Sequence, residues 1–147
     1  MTERGEGVTE LLGHDVLTGD DDGVRLTVPA SSDYLRTVRL VAADAAVRAG
    51  LDCHEVEDFR IAVDEVCHLL MASTDHPVSV MFDVVGDRVI ARGSARGREG
   101  AAPRVLDDLS QTIVRSVADE YETANVGSDV TFRVAKHARS TNAPTGR

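Results

Sequence analysis

Val24-Arg25-Leu26-Thr27-Val28 alternates apolar and polar side chains, with β-branched residues among them, and Pro29 follows at once, which predicts a short strand. Ser31-Ser32-Asp33 then offers side-chain oxygens that can accept from the unpaired amides of a first helical turn. A helix starts there: Leu35, Val38, Ala42, Ala45 and Ala49 recur every three or four residues, and Gly50 suits a left-handed terminator. A second helix is predicted from His54 or Glu55, where an acid suits the first turn, to about Ala72, with Val56, Phe59, Val63, Val66 and Leu70 as its core stripe. Residues 78–85 and 88–91 read as two strands joined by the turn pair Gly86-Asp87. Residues 93–103 carry glycines and charges without a period, and a flexible loop is expected. Helical spacing returns at Leu106, Leu109, Ile113 and Val117, giving a third helix over 104–119. Residues 121–126 and 130–134, with Gly127-Ser128-Asp129 between them, read as a second hairpin.

This order, strand, helix, helix, strand, strand, helix, strand, strand, contains short connections that imply antiparallel neighbours. Three amphipathic helices need a sheet face to bury against. The expected fold class is therefore α/β (α+β): a two-layer sandwich whose mostly antiparallel sheet is covered on one face by three helices. One domain over 23–136 accounts for the pattern. It lies between an acidic N-terminal segment, 1–22, read as a flexible tail, and a Ser/Thr/Ala/Pro/Gly-rich segment, 137–147, read as disordered.

Charge changes the picture. Twenty-five Asp and Glu against 16 Lys and Arg give a formal charge of −9, which repels phosphates over most of the surface and points away from direct DNA binding. An acidic surface suits a basic protein partner, and equally a plain solvated face. The apolar runs are too short for a membrane span, and Met1 to Gly7 lacks the basic start and apolar block of a signal peptide, so the chain reads as cytoplasmic. Cys53 and Cys67 have no metal-ligand spacing, and Cys67 falls within a helical apolar pattern as a small buried side chain. His68 follows Asp64 by one helical turn; two ligands do not make a metal site, and a helix-surface pair is the simpler reading.

Four local motifs fall in a fixed order: Pro29-Ala30-Ser31 followed by Leu35, Val38 and Arg39; Asp58 to Leu70 with Ala62-Val63-Asp64-Glu65-Val66 at its centre; Ile113 to Glu120 ending Ala-Asp-Glu; and Gly127-Ser128-Asp129-Val130. Together they resemble the GHKL (histidine kinase-like) ATPases in their compact anti-sigma form, a family of serine-protein kinases, and within it the degenerate actinobacterial anti-sigma factors. The resemblance implies a GHKL fold, ATP and Mg²⁺ as possible ligands, and Glu65 as the general base that takes a hydroxyl proton during phosphoryl transfer. It sets Gly93, Gly97 and Gly127 at nucleotide-binding positions, and Arg39, with Arg36 next, on the first helix as the sigma-binding residues. Its partners are a sigma factor, an anti-anti-sigma factor and a second copy of the chain.

This sequence departs from the family at two points. Leu69 stands one turn after Glu65, where the family has the Asn that holds Mg²⁺, and residues 93–100 supply glycines without the Asp of the adenine-binding D-x-G-x-G motif. Arg96 and Arg98 in that stretch could meet phosphates or belong to a charged loop. The function expected is sequestration of an alternative, stress- or sporulation-type sigma factor. Alternatives are an Mg-ATP-dependent serine/threonine kinase acting on the anti-anti-sigma factor, and a GHKL-like module with another protein partner.

Overall fold

The computed structural model describes residues 23–100, 102 and 106–139. The tail expected at 1–22, and all but the first three residues of the one expected at 137–147, lie outside the described residues. Strand β1 (Val24–Val28) leads through a 3₁₀ turn (Ser32–Tyr34) into helices α1 (Leu35–Arg48) and α2 (Cys53–Ala72). Strands β2 (Val78–Val85) and β3 (Arg88–Arg96), helix α3 (Asp108–Val117) and strands β4 (Glu120–Val126) and β5 (Asp129–His137) follow. The five strands form one sheet in the order β1-β2-β3-β5-β4, antiparallel throughout. The helices pack on one face, so the expected two-layer α/β sandwich holds.

The predicted stripes meet in one core. Leu35, Val38, Ala42 and Ala45 of α1 and Phe59, Val63, Val66 and Leu70 of α2 are buried against Val80 and Phe82 of β2, Ala91 of β3 and Phe132 and Val134 of β5. Phe59 meets Phe82 edge to face, with ring centroids 6.4 Å apart. Each of the Leu, Val and Phe side chains contributes roughly 1.5–3 kcal/mol by leaving water. Gly50, at φ 90°, ends α1 as expected: its turn lets the Leu51 amide donate back to Ala46 O at 3.1 Å.

Several boundaries differ from the expectation, each for a local reason. Helix α2 begins earlier, because Asp52 and Glu55 form a capping box in which each side chain accepts from the other's amide at 2.8 Å. Strand β3 does not stop at Ala91 but runs to Arg96, so Gly93 lies in a strand and not in a flexible loop. Its core-facing positions there are Ala91, Gly93 and Ala95, too small to register as an apolar alternation. Helix α3 is shorter than 104–119: Asp107 caps its start by accepting from the Ser110 amide at 2.8 Å, and Ala118 is already extended toward β4. Leu109, expected in its core stripe, is 70% exposed, while Val114 is the fully buried residue of this helix. Strand β5 extends to His137, and the two residues after it are held. The Ala138 amide donates to Asp87 O at 2.8 Å and the Arg139 amide to the buried Glu55 carboxylate at 2.9 Å.

Candidate functional site

One face of α2 opens on a cleft of about 400 Å³. Glu65, His68, Leu69 and Ala72 line it from α2, as their spacing of three and four residues requires. Leu106, Asp107 and Ser110 line it from the start of α3. Glu65 is half-buried, and its carboxylate accepts a hydrogen bond from the Ser110 hydroxyl at 2.8 Å across 45 residues of sequence. This is the contact a carboxylate makes with a hydroxyl whose proton it could take. Leu69 is 8% exposed and sets an apolar side chain beside that carboxylate. Asp107 is engaged in capping α3. Nothing in the local sequence pointed to Ser110, since only the packing of α3 on α2 brings it to Glu65.

The other expected site residues are dispersed. Gly93 sits opposite Phe132 in the β3–β5 ladder. Gly97 lies at the far end of that ladder, where its amide donates to Ser128 O at 2.7 Å, one residue after Gly127. None of the three lines the Glu65 cleft. Arg98 is neither loose nor aimed at a phosphate site. Its guanidinium donates to Ala72 O at 2.8 Å and to Asp75 at 3.1 Å, satisfying carbonyls left open at the end of α2.

Arg39 reaches from α1 to α2, where its Nε donates to Asp64 Oδ1 at 2.8 Å, with the two side chains 40% and 26% exposed. Asp64 is thus paired with Arg39 and not with His68, the surface pair expected from spacing. Arg36 is exposed one turn before Arg39, and Leu40, 64% exposed, continues the same surface of α1. Cys67 is fully buried, and burial first, then the Asp64 carboxylate, pushes its thiol well above the ordinary range, so it is an inert core residue.

No family model matches the chain. It is 34% identical over 111 residues to the serine-protein kinase RsbW of Bacillus velezensis, an alignment that covers 72% of this chain and 69% of that protein. The chain belongs to the RsbW family, the anti-sigma branch of the GHKL proteins. The RsbW of Bacillus subtilis is also 34% identical, over 73 residues; this match spans 46% of each chain, about half the length of that relative. In structure, the chain resembles the RsbU and RsbW domains of a Mycobacterium tuberculosis protein with a TM-score of 0.62 at 20% identity, covering 80% of this chain and 34% of that one.

Against the RsbW fold, the cleft does not fit the magnesium ion that the resemblance implies. A hard dication needs several oxygen ligands, and the position one turn after Glu65 offers a methyl-bearing side chain. Among the described residues no group of three or more His, Cys, Asp or Glu is arranged to hold a metal. No helix among them is long and apolar enough to cross a membrane.

Proposed function

We propose that this RsbW-family chain is an anti-sigma factor that acts by stoichiometric binding: its domain, residues 23–136, covers a surface of an alternative, stress- or sporulation-type sigma factor in the cytoplasm. An anti-anti-sigma partner releases it. The observation that carries this reading is Leu69, which keeps the α2 scaffold of the family while removing the cation ligand beside Glu65. Arg39 and Arg36 on α1 make the sigma contact, with Arg39 held by Asp64 through its Nε while its side chain stays 40% exposed. The working unit is a homodimer.

A second reading is favoured by one observation. Glu65 accepts a hydroxyl at 2.8 Å, the approach that a kinase base requires, and an antagonist's serine would take the place of Ser110 there, so a kinase acting on the antagonist is the alternative. Calorimetry separates the two. The purified chain, titrated with the alternative sigma factors of its own cells, binds one of them. Arg39→Ala weakens that binding about tenfold or more, equivalent to about 1.4 kcal/mol, while loss of the part-buried Arg39–Asp64 pair costs the fold about 1 kcal/mol. Unchanged affinity removes Arg39 from the interface. Transfer of labelled phosphate from Mg-ATP to an antagonist, abolished by Glu65→Gln, establishes the kinase instead.

A further inference from the structure

The helices cover one face of the sheet, and no described element packs on the other. Three apolar residues of that back face are nonetheless buried: Met81 of β2 is 3% exposed, Ile90 of β3 5% and Ala135 of β5 1%. They alternate with the core-facing positions of their strands, and Ile90 stands directly opposite Ala135 in the ladder. Arginine stems supply part of the cover, as long cationic side chains do over apolar surface. The Arg25 guanidinium lies 4.0 Å from the Met81 sulfur. The water-facing side of an antiparallel sheet is ordinarily polar and solvated, so burial this complete calls for a further layer.

Charge on the back face narrows what that layer is. Arg25, Arg92 and Arg133 stand in one row across four strands, with Met81 between the first two. Arg92 holds Asp83 and Arg133 holds Glu120, and a guanidinium with five N–H donors accommodates more than one carboxylate. The exposed acids of this face, Glu120 and Glu122, lie on the β4 edge. Residues 1–22 carry seven acids, including Asp20-Asp21-Asp22, against the single Arg4, and they contain the apolar pairs Leu11-Leu12 and Val16-Leu17. They join the domain at Gly23, where a Cβ would collide with Asp83 Oδ1 and Met81 Cε, so the chain enters β1 against the back face.

We propose that residues 1–22 of this chain fold back across the uncovered sheet face, with Asp20-Asp21-Asp22 on the arginine row and Val16-Leu17 over Ile90 and Ala135. Strands lie about 4.8 Å apart and an extended residue spans about 3.3 Å, so the roughly 14 Å from β1 to β5 takes about five residues. Leu17 stands far enough before Gly23 to make that crossing. The other segments outside the described residues suit the face less. Residues 140–147 contain no acid and follow Arg139, whose amide is bound to Glu55 of α2 on the helix side. Residues 103–105 lead into Leu106, which lines the helix-side cleft. A second copy of the chain is the poorer occupant, because it sets one arginine row against another. The contact is independent of α1 and of the Glu65 cleft, which lie on the helix side.

The test is oxidation of Met81 to the sulfoxide by dilute hydrogen peroxide in the full chain, read by peptide mass spectrometry. Oxidation is slow in the unaltered chain and speeds up about tenfold or more when Asp20→Lys, Asp21→Lys and Asp22→Lys are combined, and likewise for Val16→Ser with Leu17→Ser. Both sets of substitutions lie outside the packed domain, and Met71, buried in the helix-side core, keeps its rate as the internal control. The amide resonances that move between the unaltered chain and either variant fall on residues 79–83, 90–92 and 133–135. Unchanged Met81 oxidation in both variants overturns the proposal, and so do amide shifts confined to residues 23–26. Protection of Met81 that disappears on dilution assigns the face to a second copy and overturns it as well.

Discussion

Gly93→Ala distinguishes a nucleotide-binding glycine from a packing glycine. A Cβ added at Gly93 falls 2.4 Å from Phe132 Cε2 and 2.7 Å from Cζ. Carbon atoms rest at about 3.5–4.0 Å, so the ring must retreat by about an ångström or more. Phe132 is 3% exposed, directly across the ladder and inside the core, so it has little room to retreat. Overpacking of this kind costs about 1–3 kcal/mol. A cost of ~2 kcal/mol is a sizeable share of a domain stability of about 5–15 kcal/mol. With a urea slope of about 1–3 kcal/mol per molar, the unfolding midpoint drops by roughly 1 M. Equilibrium urea denaturation followed by circular dichroism reads this directly, and a double-mutant cycle locates the cause. Phe132→Leu destabilises by itself, yet combined with Gly93→Ala it recovers about 1 kcal/mol or more relative to additivity, because the clashing ring edge has gone. An unchanged midpoint for Gly93→Ala, or strict additivity with Phe132→Leu, refutes the packing role and returns Gly93 to the nucleotide reading.

Two further expectations concern α2. Burial, followed by the Asp64 carboxylate, raises the Cys67 thiol above its ordinary 9.0, so the sign is that of a raised folded-state pKa. Stability is full below about pH 9 and falls as pH rises beyond it, by up to about 1.4 kcal/mol per pH unit, while the unfolded thiol ionises and the folded one does not. Denaturant midpoints taken from about pH 7 to about pH 10 show this decline, and Cys67→Ala flattens it; an identical decline in the variant refutes the assignment. Leu69→Asn restores a polar ligand to the cleft and destabilises by roughly 1–3 kcal/mol through lost apolar burial. It does not confer Mg-ATP binding, because the chain also lacks the adenine-binding Asp. Micromolar binding by calorimetry contradicts that.

Periodicity carried the fold wherever side chains are large on one face. The stripes of α1 and α2 were legible because Leu35, Val38, Phe59, Val63, Val66 and Leu70 are bulky and regularly spaced, and each is buried. The far half of β3 was not legible, since its inward positions, Gly93 and Ala95, are small to admit Phe132 and Val130 from β5. That signal resides in the partner strand, 35 or more residues away. The bounds of α3 depart from the hydrophobic period, which Leu106 and Leu109 both fit. Leu106 is buried before the helix begins, and Leu109 is exposed on its surface. A hydrophobic period is blind to the cap at Asp107, which sets the start.

The Glu65 cleft shows why only half of a site can be read from one helix. Glu65 and Leu69 share a face by helical spacing, so the loss of a cation ligand is visible in the sequence. What then satisfies the carboxylate is not. A half-buried carboxylate without a cation needs a hydrogen-bond donor, because leaving such a group unsatisfied costs more than the bond itself contributes. Ser110 supplies that donor at 2.8 Å from the first turn of α3. The apolar Leu69 and the hydroxyl of Ser110 are therefore two parts of one arrangement that keeps the Glu65 carboxylate hydrogen-bonded within the cleft. It also follows that any partner hydroxyl able to reach Glu65 must first displace a serine of this same chain, so the base that a kinase would use is already occupied by its own helix.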